Sequence, residues 1–171
     1  MSVVDANTGE VVLVAPDTLT FNPDNYGREA VDQSTVDDYA EALRSGAEFP
    51  AIEVYADGEI AGGVHRWHAH SAVGLDIRTV VVECPENMSR RVFSASLNVR
   101  NGKRQTRKEL ERIAIDEARG NPDLSQTDLA DALGVARSTV QRWVAPITQA
   151  ADRTRKLKAS LLLDAEWTQA K

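Results

Sequence analysis

The chain has 171 residues, 42% hydrophobic and 27% charged, with a formal net charge of −6. That length suits one well-buried domain with a small satellite, or two small domains. The lack of a long apolar run and of a basic, greasy N-terminus excludes membrane-spanning and secreted readings and predicts a cytoplasmic protein with no membrane partner, while a single cysteine, Cys84, excludes an internal disulfide.

The net charge conceals an asymmetry. Residues 1–86 carry 4 basic and 16 acidic side chains, net −12, whereas residues 87–171 carry 16 basic and 10 acidic, net +6. A basic C-terminal half can meet nucleic-acid phosphates while the acidic half stays clear of them.

Residues 1–10 read as a flexible polar tail. The run Val11-Val12-Leu13-Val14, ended by Pro16, is branched and short, which predicts a strand, and Asn22-Pro23-Asp24-Asn25-Tyr26-Gly27 predicts a loop by its turn chemistry. Ser34 and Asp37 form a capping-box pattern ahead of Val36, Tyr39, Ala40 and Leu43 at helical spacing, with Gly46 closing the helix. Residues 51–55 alternate as a strand, Asp57-Gly58 turns, and residues 59–61 return as a second strand, so a hairpin is expected.

The hairpin runs into Ile60-Ala61-Gly62-Gly63-Val64-His65-Arg66-Trp67-His68-Ala69. Two glycines before a helix start let the backbone approach an anion, the helix offers free N–H groups, and an arginine can fork onto two oxygens. Taken locally, the stretch is either a phosphate cradle or a tight turn that needs glycine. A helix over residues 65–73, stopped by Gly74, and a strand over residues 79–83, ended by Pro85, complete a small α+β unit. His65 and His68 share a helical face that His70 does not, and no second cysteine stands beside Cys84, so no metal site is expected; His70 reads as a surface residue and Cys84 as a buried thiol.

After Pro85 strand signals stop. Helices are expected over residues 87–97 and 107–119, with a break over 98–102 between them and Asn121-Pro122 ending the second. Residues 125–143 then read as a helix-turn-helix: Ser125 caps, Asp128 completes the box, Leu129, Ala130 and Leu133 face inward, Gly134 turns, and Val135, Val140 and Trp143 anchor the second helix. Arg137, Ser138, Thr139, Gln141 and Arg142 remain for the outer face, and these side chains read base edges and phosphates; Gln126, at the start of the first helix, joins them as a candidate contact. Lys103, Arg104 and Arg107, in a basic cluster just before the motif, suit backbone clamping. Residues 149–171 form a last helix in which Leu157, Leu161, Leu162, Ala165 and Trp167 make either a homodimer seam or a face that packs back on the motif.

The order of strand, helix, hairpin, Gly-Gly turn and helix-turn-helix resembles the ParB/sulfiredoxin superfamily, specifically its ParB-like DNA-binding members, from about residue 11 to residue 144. The resemblance implies an α+β fold: a mixed-sheet nucleotide-pocket domain over residues 11–86 and an all-α DNA-binding domain over residues 87–148. The ParB turn Gly-Glu-Arg-Arg-aromatic-Arg-Ala, which binds the triphosphate of CTP, is matched by Gly63-Val64-His65-Arg66-Trp67-His68-Ala69, and the sulfiredoxin turn Gly-Gly-Cys-His-Arg by Gly62-Gly63-Val64-His65-Arg66. Val64 replaces the sulfiredoxin nucleophile, which excludes reductase chemistry. The second ParB motif, Glu-Asn-x-x-Arg, aligns with Leu97-Asn98, its arginine displaced to Arg100, so the glutamate that manages nucleotide and magnesium is lost. By this resemblance Arg28, Gly62, Gly63, His65, Arg66, His68, Asn98 and Arg100 would hold CTP or ATP with Mg2+, and double-stranded DNA would be the partner. Binding is the expected role of the pocket; a CTPase, other NTPase or nuclease activity resting on His65, Arg66, His68 and acids such as Asp57 or Glu59 is the alternative.

Overall fold

The computed structural model describes residues 9–101, 105–121 and 124–169, with side chains at 100, 101, 151, 152 and 158–169 outside the description. The tail assigned to residues 1–10 therefore falls almost wholly outside it, as do Lys103 and Arg104.

Four strands form a mixed sheet in the order β1-β4-β2-β3: β1 (Val11–Val14), β2 (Ile52–Val54), β3 (Ile60–Gly62) and β4 (Ile77–Val81). β4 pairs antiparallel with β1 and parallel with β2, while β2 and β3 make the antiparallel hairpin expected around Asp57-Gly58. A parallel pair needs a crossover. Here β3 and the helix α2 (Val64–Val73) supply it, so the Gly-Gly turn lies where the chain leaves the sheet for a helix. Val14, Ile52, Val54, Ile60, Val64, Ile77 and Val81 make the core under the sheet. Helix α1 (Gln33–Arg44) packs on α2, with Ala40 and Ala69 both buried at the contact so that the helices approach closely.

The remaining helices are α3 (Arg90–Asn101), α4 (Arg107–Gly120), α5 (Gln126–Leu133) and α6 (Arg137–Gln169). Their shared core is Val92, Ala95, Ile113, Ala114, Leu129, Leu133, Val140, Trp143 and Val144, among others. The buried carboxylate of Glu117 on α4 accepts hydrogen bonds from the Ser89 backbone and hydroxyl and from Asn121, tying α4 to the start of α3. The architecture is α+β, a mixed sheet with helices followed by an all-helical half.

Several expectations change. Asp32, not Ser34, caps α1: its carboxylate accepts from Thr35 N–H at 3.5 Å and from the Ser34 hydroxyl at 2.8 Å, so the helix starts at Gln33. α3 starts three residues later than expected because Ser89 caps it, its hydroxyl accepting from Val92 N–H. It also continues to Asn101, into the expected break, since Asn98 turns its amide back to the Ser94 carbonyl at 3.1 Å instead of interrupting the helix. The motif's second helix and the C-terminal helix are one element, α6, with Pro146 inside it; that proline cannot make the helical bond to the Arg142 carbonyl, and its ring crowds that same carbonyl. His70 is buried, its Nδ1 3.0 Å from the Asp76 carbonyl, because it lies on the α2 face turned toward the start of β4.

Candidate functional site

A pocket opens where β3 meets α2. It is lined by the 21–28 loop, the start of α1, Glu53 on β2, the Gly62–Arg66 turn, and Ser94, Leu97 and Asn98 of α3. Gly63 caps α2 with φ +90°, and an added Cβ would sit 2.4 Å from Ile52 Cγ2, so the turn needs glycine both for its conformation and for its closeness to the sheet. The first amides of α2 have no helical acceptor and face the same end of the helix.

The expected nucleotide residues divide. Arg28, Gly62, Gly63, His65, Arg66 and Asn98 all line this one pocket, although they come from three separate parts of the chain. His65 accepts the Asp32 N–H at Nε2, 3.1 Å, which joins the turn to the cap of α1. Arg66 donates through Nη1 to the Pro50 and Ala51 carbonyls at 2.6 and 3.0 Å and lies 3.8 Å from Glu53, so its guanidinium fastens the turn to the chain entering β2. Burial lowers the pKa of Arg66, with the charge of Glu53 opposing that shift. His68 is not in the pocket lining: its ring packs on Trp67 and Phe21, and burial holds its pKa below the ordinary value. The backbone of Arg100 lies in α3, but its side chain falls outside the described residues.

Sequence reasoning passed over Glu53, Tyr26, Thr35 and Ser94, which also line the pocket. Burial pushes the Tyr26 hydroxyl up to about 12, so it keeps its proton at ordinary pH. The signal for Glu53 was its place between the buried Ile52 and Val54, which aims it at the opposite side of the strand. Asp57 and Glu59, the acids of the nuclease alternative, are both bound by Arg90 at 2.7 Å, and Arg90 also lies 4.2 Å over the Tyr55 ring. Asn25 donates to Glu59 at 2.6 Å, so this cluster fixes the hairpin to α3 and to the pocket loop.

In the helical half, α5 and α6 are joined by a short turn at Gly134. The Ser125 hydroxyl caps α5, accepting from Asp128 N–H at 3.0 Å. Val140, Trp143 and Val144 of α6 are buried, while Arg137, Ser138, Gln141 and Arg142 are exposed and Thr139 is half-buried. Arg107, Thr139 and Arg142 line a common groove beside the turn, which joins the start of α4 to the start of α6. Gln126 lies apart from them, in a groove with Thr148 and Arg155.

No family model and no curated protein matches the chain. Solved structures do. The chromosome-partitioning protein ParB from Caulobacter crescentus, C-terminally truncated and complexed to the centromeric parS site, superposes with a TM-score of 0.52 at 19% identity, over 77% of this chain and 69% of that one. A Pnob8-like ParB-N domain gives a TM-score of 0.52 at 14% identity, over 81% of this chain and 69% of that one. The truncated Caulobacter crescentus ParB complexed with CTP-gamma-S gives 0.47 at 19% identity, over 79% and 77%. The mixed four-stranded sheet, the pocket-bearing turn and the helices that follow therefore make up a ParB-like fold.

Proposed function

We propose that this chain binds double-stranded DNA sequence-specifically through α5 and the first turns of α6, and that its α+β half carries a nucleotide pocket whose occupancy modulates that binding. The observation that carries the proposal is one helix with two opposite faces. Val140, Trp143 and Val144 hold α6 in the core, and Arg137, Ser138, Gln141 and Arg142 face solvent together in the half of the chain with net charge +6. Arginine and glutamine there match guanine and adenine edges, and Arg107 beside them suits a phosphate. Partition of a plasmid, phage or chromosome fits the shared fold with a protein solved on a parS site; transcriptional control would use the same contacts.

For the pocket, CTP or ATP with Mg2+ is the proposed ligand. The Gly62-Gly63 backbone and the start of α2 would take phosphate, Arg28 and His65 would flank it, and Asn98 would complete the wall. The nuclease alternative gains no support, because Asp57 and Glu59 are held by Arg90. A homodimer remains part of the proposal through the far end of α6, where Leu157 is exposed and the other candidate seam side chains fall outside the described residues.

The test is DNA binding by fluorescence anisotropy on a selected duplex, across a salt series, with and without CTP, ATP or GTP. Arg137→Ala with Arg142→Ala should weaken binding by about tenfold or more, at roughly 1–3 kcal/mol for each base contact. A double variant with unchanged affinity at moderate salt overturns the assignment.

A further inference from the structure

We propose that Glu53 is the protein carboxylate for a divalent cation that enters the pocket with nucleotide phosphate, replacing from a neighbouring strand the acid that Leu97 cannot supply. This rests on the nucleotide reading above. β2 buries Ile52 and Val54 and turns Glu53 the other way, into the pocket, where its side chain is 17% exposed. Gly62 makes the room: a Cβ there would lie 2.7 Å from Glu53 Oε2 and 3.4 Å from Leu97 Cδ1. Glu53 and Leu97 thus converge on one point of the turn. Leucine offers a cation nothing, and the carboxylate beside it offers two oxygens.

The remaining chemistry of the wall fits a hard cation. Asn98 uses its Nδ2 within α3, on the Ser94 carbonyl, which leaves its amide oxygen as the end not engaged there. Magnesium is held by one or two carboxylates together with substrate phosphates and water, so a single well-placed acid suffices. Among the described residues Glu53 has one charged neighbour, Arg66, which is held mainly elsewhere. Arg66 is anchored by two backbone carbonyls, and its 3.8 Å contact to Glu53 is long for an ion pair. Without a cation, a half-buried carboxylate next to the phosphate cradle repels phosphate; with one, the same group attracts it.

Isothermal titration of the full chain with CTP and with ATP, in MgCl2 or in EDTA, tests this. The wild type should bind at least about tenfold more tightly with Mg2+. In Glu53→Gln the gain should fall to about threefold or less, and metal-free binding should equal or exceed that of the wild type. Adding Leu97→Glu to that variant should restore the Mg2+ gain, and Mn2+ substituted for Mg2+ should show the same pattern by electron paramagnetic resonance of the bound ion. A Glu53→Gln protein with the full Mg2+ gain overturns the proposal while leaving the nucleotide pocket standing. A wild type that binds neither nucleotide overturns both.

Discussion

Replacing Gly63 with alanine measures how closely the start of α2 is bound to the sheet. Its φ of +90° lies in the left-handed region, where an L side chain costs about 1–2 kcal/mol. The new Cβ would also lie 2.4 Å from Ile52 Cγ2 and 2.9 Å from Ile52 Cβ. Ile52 is completely buried in β2 and cannot yield without moving the strand; overpacking of this kind costs about 1–3 kcal/mol. The expected loss is therefore about 2–5 kcal/mol. Gly74→Ala is the control, because Gly74 has φ +73° but nothing within 4 Å of an added Cβ. Only the backbone cost applies there, about 1–2 kcal/mol, and the restriction of the unfolded chain is the same in both variants. With a urea m-value of about 2 kcal/mol/M, the midpoint should fall by about 1–2.5 M for Gly63→Ala and by at most about 1 M for Gly74→Ala. Equilibrium unfolding followed by tryptophan fluorescence reads both. Equal midpoints would refute the argument that Ile52 blocks the turn.

Two further outcomes follow from a buried carboxylate, Glu117, and a half-buried imidazole, His68. Glu117→Ala removes the acceptor shared by Ser89 and Asn121 and should cost about 2–3 kcal/mol in the same unfolding assay; a loss below about 0.5 kcal/mol would show that α3 holds its start without that carboxylate. His68 tests pH. Burial lowers its folded pKa, so the unfolded chain takes up the proton first, near the ordinary value of about 6.5. Stability should be full above that pH and fall as pH drops from about 7 to 5.5. Comparing urea midpoints at the two pH values, the fall should shrink in His68→Phe, and an unchanged fall assigns the effect to another group.

How much of this was legible depended on whether the cause was local. The turn before α2, the stop at Gly74, the Ser125 cap and the inward residues of α5 and α6 follow from neighbouring residues, and the structure has them at those positions. The cap of α1 was misplaced by two residues because Asp32 and Ser34 both have capping side chains, and only the fold decides that the Asp32 carboxylate, taking the Thr35 N–H, starts the helix. The pocket was half legible. Its turn could be read, but the roles within it come from other elements: Arg66 is turned toward Pro50 and Ala51 by the path of the chain into β2, and His68 is drawn away by Trp67. Glu53 gave only an alternation signal, and no local pattern brings it beside Leu97. The tie from Arg90 to Asp57 and Glu59 likewise spans more than thirty residues of chain and could not be read from spacing.

The two halves also meet behind the pocket loop. One carboxylate, Glu109, accepts the Thr106 N–H in the capping box of α4 and, through its other oxygen, the Glu29 N–H beside Arg28. Gly27 lies so close to Gln105 and Ile113 that a Cβ would fall 2.3 and 2.9 Å from them. Since α3 adds Ser94, Leu97 and Asn98 to the pocket, the cavity is a joint product of both halves, and neither contains it alone. Cutting the chain at Glu86 would leave the sheet and its turn but take away a wall. A molecule seated there would touch both halves at once, and its binding free energy would go directly into holding them together.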